Sequence, residues 1–224
     1  VDTVSYEGAP GGVTADLAGP ADAAGYTLVQ GGAFGNDRMK GVENLTGSQG
    51  NDHFSGDAGA NHFAARHGQD ILTGRGGNDT LDGGAGVDTA VYSYAGQGVQ
   101  ANLGIKDAAG ASQASAGAGD ADTLISIENL SGSSHGDSLT GDEAANRLEG
   151  MGGDDTLAGG GGQDTLDGGA GQDWADYSAA ASGVNLQLAD AAMARAFLAG
   201  GEEDALVSIE HVRGSAYADV LRGD

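Results

Sequence analysis

Large apolar side chains are sparse along this chain, and over two stretches they stand nine residues apart. Between Gly47 and Val91 the recurring inward candidates are Phe54, Phe63, Leu72, Leu81 and Ala90; between Gly132 and Asp176 they are Leu139, Leu148, Leu157, Leu166 and Ala175. The spacing fits no amphipathic helix, which would need apolar residues every three to four positions. One apolar residue flanked by polar ones instead predicts a three-residue strand at positions seven to nine of each repeat. Side chains alternate across a strand, so position eight points inward while seven and nine meet water. The remaining six positions are rich in Gly and polar residues and read as a turn.

Within the turn two positions repeat almost without exception. The fourth reads Gly50, Gly59, Gly68, Gly77, Gly86 in the first array and Gly153, Gly162, Gly171 in the last three repeats of the second, where His135 and Ala144 replace the first two. The sixth reads Asp52, Asn61, Asp70, Asp79, Asp88 and then Asp137, Asn146, Asp155, Asp164, Asp173. Gly lets the backbone take positive φ and exposes its carbonyls, whereas Asp closes a turn and offers an oxygen ligand. Hard cations such as calcium bind six to eight oxygens from carboxylates and backbone carbonyls, and a turn of this composition supplies both.

A longer repeat of about 85 residues frames the arrays. Val1-Asp2-Thr3, Val87-Asp88-Thr89 and Gln172-Asp173-Trp174 open matching units, which run over 1–86, 87–171 and, in part, 172–224. Each carries a Gly-Val…Leu line at Val13, Val99 or Val184, and a later line at Val42-Glu43-Asn44-Leu45, Ile127-Glu128-Asn129-Leu130 or Ile209-Glu210-His211-Val212. These lines read as longer strands that carry one continuous solenoid over 1–224. Asp37, Asp122, Asp204 and Glu43, Glu128, Glu210 recur at matched places, as further ligands or as turn-forming carboxylates. Gly104 to Gly119 reads as a loop. Asp190 followed by Ala191 to Ala199, with Met193 and Phe197 on one face and Gly200-Gly201 behind, predicts a short helix. The chain starts and stops inside a unit, as a fragment would, and Val1 onward lacks the features of a signal peptide.

Composition then sharpens the problem. Of 224 residues 44 are Gly, aromatics are 5%, and 33 acidic groups face 9 basic ones for a net charge of −24. Such a chain repels nucleic-acid phosphates, has no span for membrane insertion, and is too acidic and too poor in apolar bulk to fold in plain water. Stacked coils set like carboxylates about 4.8 Å apart, a repulsion of about 3.5 kcal/mol per pair at an effective dielectric near 20. Cations are the natural remedy.

The pattern resembles the RTX (repeats-in-toxin) family, whose nonapeptide is Gly-Gly-x-Gly-x-Asp-x-apolar-x; Gly83-Gly84-Ala85-Gly86-Val87-Asp88 and Gly168-Gly169-Ala170-Gly171-Gln172-Asp173 match it best. The resemblance implies an all-β fold, a right-handed parallel β-roll with two nonapeptides per coil and calcium ions between turns of successive coils. Sixth-position partners would then be Asp52 with Asp70, Asn61 with Asp79, Asp70 with Asp88, Asp137 with Asp155, Asn146 with Asp164 and Asp155 with Asp173. Six divalent ions at these places would halve the net charge of −24. The neutral Asn turns, and those with Ala65, His135 or Ala144 in place of Gly, are expected to be weaker.

The functional expectation is a calcium-binding structural or interaction module of a secreted bacterial protein, of adhesin, surface-layer or extracellular-matrix type. It would be unfolded in the cytosol, exported by type I secretion from a Gram-negative cell, and folded by the calcium outside. Self-association or contact with other surface components is the expected partnership. The alternative is the C-terminal accessory domain of a secreted metalloprotease, lipase or alginate epimerase. No catalytic residues are expected: nearly all carboxylates sit in repeat register, and the chain has no Cys and no Ser-His-Asp constellation. His53 and His62 fall at outward positions, and with His67, His135 and His211 in no common register the histidines do not point to zinc. Trp174 and Tyr177 read as packing groups at the repeat edge.

Overall fold

The computed structural model describes residues 1–30, 35–117, 119–187, 194–198 and 201–223. All regular structure among them is β. The chain divides into two compact units, residues 1–92 with 107–127 and residues 93–106 with 128–224, so each unit holds one nonapeptide array.

In the first unit the even repeats build one sheet and the odd repeats the other. The strands Asn44–Thr46, His62–Ala64 and Thr80–Asp82 pair in parallel, as do His53–Ser55, Ile71–Thr73 and Thr89–Val91. Registers set Phe63 against Leu81 and Phe54 against Leu72, so one coil is two nonapeptides. The second unit repeats the plan, with Ser138–Thr140, Thr156–Ala158 and Trp174–Asp176 in one sheet and Arg147–Glu149 with Thr165–Asp167 in the other. Position eight lies inward throughout: Phe54, Phe63, Leu72, Leu81, Leu139, Leu148, Leu157 and Leu166 are fully buried. Phe54 and Phe63 meet edge-on, ring centroids 5.6 Å apart, across the first coil. With a single large residue per nonapeptide, each of these positions carries much of its coil, and Leu148→Ala should lower stability by about 2–5 kcal/mol in chemical denaturation of the calcium-loaded protein.

The lines between arrays are strands as well. Val13, Val99 and Val184 are buried beside Thr14–Asp16, Gln100–Asn102 and Asn185–Gln187. Antiparallel excursions depart from this plan. In the first unit Asn36–Met39 pairs with Thr27–Gln30, which pairs with Thr14–Asp16. In the second, Ala194–Phe197 lies between Asn185–Gln187 and Glu203–Val207.

Two expectations are corrected here. Within the helix expected near 191–199, the described residues Ala194–Phe197 form a strand instead, with Ala194 and Ala196 buried and Arg195 and Phe197 outward. Ladder hydrogen bonds on both sides outweigh the helix propensity of Ala, and so short an isolated helix is marginal in water. Phe197 therefore faces solvent, while residues 190–193 and 199–200 lie outside the described residues. Within the expected loop at 104–119, Ser112–Gly117 is a strand antiparallel to Asp120–Ile125, with Ser112, Ala114 and Ala116 turned inward. Its small side chains carry little β preference, so the partner strand supplies the order; residue 118 lies outside the described residues.

Candidate metal centre

Strand positions seven to nine hold each turn by its end, so the sixth residue is carried inward with the coil. All the sixth-position residues of both arrays are at most 4% exposed. In the third to fifth repeats one side-chain oxygen of each Asp accepts a backbone N–H from the turn one coil earlier. Asp70 accepts from Asp52 at 2.6 Å, Asp79 from Asn61 at 2.8 Å and Asp88 from Asp70 at 2.8 Å. In the second array Asp155 accepts from Asp137 at 2.7 Å, Asp164 from Asn146 at 2.9 Å and Asp173 from Asp155 at 2.9 Å. The structure thus brings together the six pairs spaced 18 residues apart, each as a carboxylate on a neighbouring amide.

Four of the recurring carboxylates outside the arrays belong to the same ladders. Asp122 accepts from the Asp79 amide and Asp204 from the Asp164 amide. Glu43 accepts from Asp2 and Glu210 from Asp173. Asp204 also accepts a 3.0 Å bond from the Tyr177 hydroxyl. These residues terminate ladders, a part that their position in the sequence left open; both Asp204 oxygens are engaged by protein groups, whereas the second oxygen of Asp122 is buried with no hydrogen-bond partner.

The bond from position two to the sixth side chain divides the turns into two kinds. In the first two repeats of each array the residue at position two donates its N–H to the sixth side chain: Ser48 to Asp52, Asp57 to Asn61, Ser133 to Asp137 and Asp142 to Asn146, at 2.6–2.9 Å. These turns are closed. In the later repeats position two is left-handed instead, at Arg66, Arg75, Gly84, Met151, Gly160 and Gly169. Position four is left-handed there too, at Gly68, Gly77, Gly86, Gly153, Gly162 and Gly171. The bond from position two is then absent, and the second oxygens of Asp70, Asp79, Asp155, Asp164 and Asp173 are buried with no hydrogen-bond partner. For Arg66, Arg75 and Met151 a positive φ is costly, so something must favour the open shape.

Burial without a partner disfavours the charged carboxylate. Desolvation, with neighbouring carboxylates adding to it, pushes Asp70, Asp79 and Asp164 up to about 7 and Asp155 to about 6. A buried carboxylate in this condition calls for a proton or a cation. The oxygens it could share are close by. At Gly150, the place a Cβ would take lies 2.2 Å from an Asp155 oxygen and 2.7 Å from the Gly168 carbonyl of the next coil. At Gly168 the corresponding neighbours are an Asp173 oxygen and the carbonyl of Ser208, outside the nonapeptides.

Among the described residues no three or more His, Asp or Glu side chains converge as a metal-binding group. A cation here would therefore be held by few carboxylates and several carbonyls, the donor set a hard ion such as calcium accepts. Orphaned buried oxygens beside stacked carbonyls fit that ion. His53 and His62 are exposed on strands of different sheets. Trp174 lies outward against His211, ring centroids 4.7 Å apart.

A model of the RTX calcium-binding nonapeptide repeat, in four copies, matches residues 39–66, 63–90 and 131–175. No curated protein matches the chain. Repeats of this type bind calcium and are structural, not catalytic by themselves.

Proposed function

We propose, on the premise that the nonapeptides are RTX calcium-binding repeats, that this chain is a calcium-folded structural or interaction module of a secreted bacterial protein. The observation that carries the reading is the set of buried, unpartnered carboxylate oxygens on Asp70, Asp79, Asp155, Asp164 and Asp173. Leaving them ionised and unpaired opposes folding, and a divalent ion removes that cost at several coils together. The sixth-position aspartates that carry these oxygens are the proposed ligands, with carbonyls of the turns completing each shell.

Extracellular calcium modules work at about 10⁻⁴–10⁻³ M, far above cytosolic levels, so the same sequence would remain unfolded before export and fold after it. A surface or matrix protein is favoured over the accessory domain of an enzyme because the units recur at about 85 residues, as in a chain built for length. The test is calcium titration by calorimetry with far-ultraviolet circular dichroism in parallel. Binding of several ions together with gain of β signal is expected; a chain that takes up no calcium would sink the reading.

A further inference from the structure

We propose, resting on the calcium reading above, that each array loads its ions only on its third to fifth turns, and that its first two turns are latches closed by the protein itself. In a closed turn the polar atoms of the sixth side chain are all engaged by protein groups. Asp52 spends one side-chain oxygen on the Val13 amide at 2.7 Å and the other on the Ser48 amide at 2.7 Å; the Ser48 hydroxyl donates to it as well. Asp137 does the same with Val99 and Ser133.

The second closed turn of each array needs no charge at all. Asn61 and Asn146 accept the position-two amide and donate their side-chain N–H to the carbonyls of Glu43 and Glu128. A carboxylate could not make that last bond, because it has no donor. Both Asn residues of the sixth position thus fall in closed turns, where a neutral side chain is the better fit. So do His135 and Ala144, the two departures at position four, because closed turns need no left-handed residue there.

Open turns show the opposite in every respect. Their sixth residue is always Asp, their fourth always Gly with positive φ, and five of their carboxylates keep a buried oxygen with no protein partner. A turn resembling the closed kind begins again at Gly214, where Ser215 donates its hydroxyl to Asp219 at 2.7 Å and Asp219 accepts the Val184 amide. The assignment is thus a rule along the chain: Ser or Asp at position two marks a latch, and Arg, Met or Gly marks an ion turn.

The experiment counts bound ions by native mass spectrometry of the calcium-loaded full chain, with sensitised terbium luminescence as an independent readout. Asp79→Asn and Asp164→Asn are each expected to lose about one ion, and Asp137→Asn none. Asn146→Asp adds a carboxylate to a closed turn and should add no ion; it also guards against misfolding of Asp137→Asn. An equal loss from closed and open turns, or an ion gained by Asn146→Asp, would overturn the two-class assignment while leaving calcium binding intact. An unmodified chain without bound ions would overturn the calcium reading, and this inference with it.

Discussion

Stripped of calcium by a chelator at pH 8, the chain should lose most of its β signal in one cooperative step, and acidification to about pH 4.5 without added metal should restore part of it. Each site held at a hundred times its dissociation constant adds about 2.7 kcal/mol. A few sites therefore match the whole stability of an ordinary domain, about 5–15 kcal/mol. The pH effect follows from the carboxylates. Asp70, Asp79 and Asp164 are raised to about 7 and Asp155 to about 6 in the folded, metal-free chain, against about 3.9 for Asp in an unfolded one.

The folded state then binds protons more tightly than the unfolded state between about pH 4 and 7. Its stability falls as pH rises through that window and is greatest below it. Calcium takes the place of those protons, so its apparent affinity should weaken as pH drops from 7 toward 4. Circular dichroism across pH with chelator present measures the first effect, and calcium titrations at pH 5 and 7.5 the second. A metal-free chain equally folded at pH 8 would contradict both. The sequence pI of about 4.1 makes low protein concentration advisable at the acid end.

Gly86→Ala should be among the most damaging single changes, with Gly59→Ala as its mild counterpart. A Cβ on Gly86 would stand 1.6 Å from the Gly68 carbonyl of the preceding coil, at a φ of 152° that L residues rarely adopt. Both the conformational cost and the clash with backbone must be met, for about 3 kcal/mol or more. In a chain of this size that lowers the melting temperature by about 6–12 °C. Gly59 occupies the same repeat position in a closed turn, has no positive φ, and its Cβ would approach only the flexible Asp57 carboxylate, at 3.3 Å. Its substitution should shift melting by a few degrees at most, as Ala144 at the matching place in the second array suggests. Differential scanning calorimetry in excess calcium compares the two directly.

The array geometry is legible in the sequence because a covalent period of nine fixes both the strand and its inward face; Leu139, Leu148, Leu157 and Leu166 need no tertiary information to be placed. The sixth-position pairs follow from two repeats per coil. Ser112–Gly117 and Ala194–Phe197 escape such a reading because their Ala-rich sequences prefer no strand by themselves and are held by partners supplied from elsewhere in the chain. The roles of Asp122, Asp204 and Glu210 are hidden for a similar reason, since only the closed hairpin or line brings each onto the amide it caps. The distinction between turns was within reach. Ser and Asp are turn-capping residues, and their place at position two of only the first two repeats in both arrays was the available signal.

The ladder ends impose a parity on how such a chain can lengthen or shorten. Asp122 meets the amide of Asp79, and Asp204 that of Asp164, only because an even repeat comes next to the returning hairpin. Excising a single nonapeptide would hand every later strand to the opposite sheet and present the hairpin with the wrong column. Excising two removes one whole coil and leaves both columns in phase. Viable insertions and deletions within an array are therefore quantised in steps of 18 residues, the sequence separation of the paired turns.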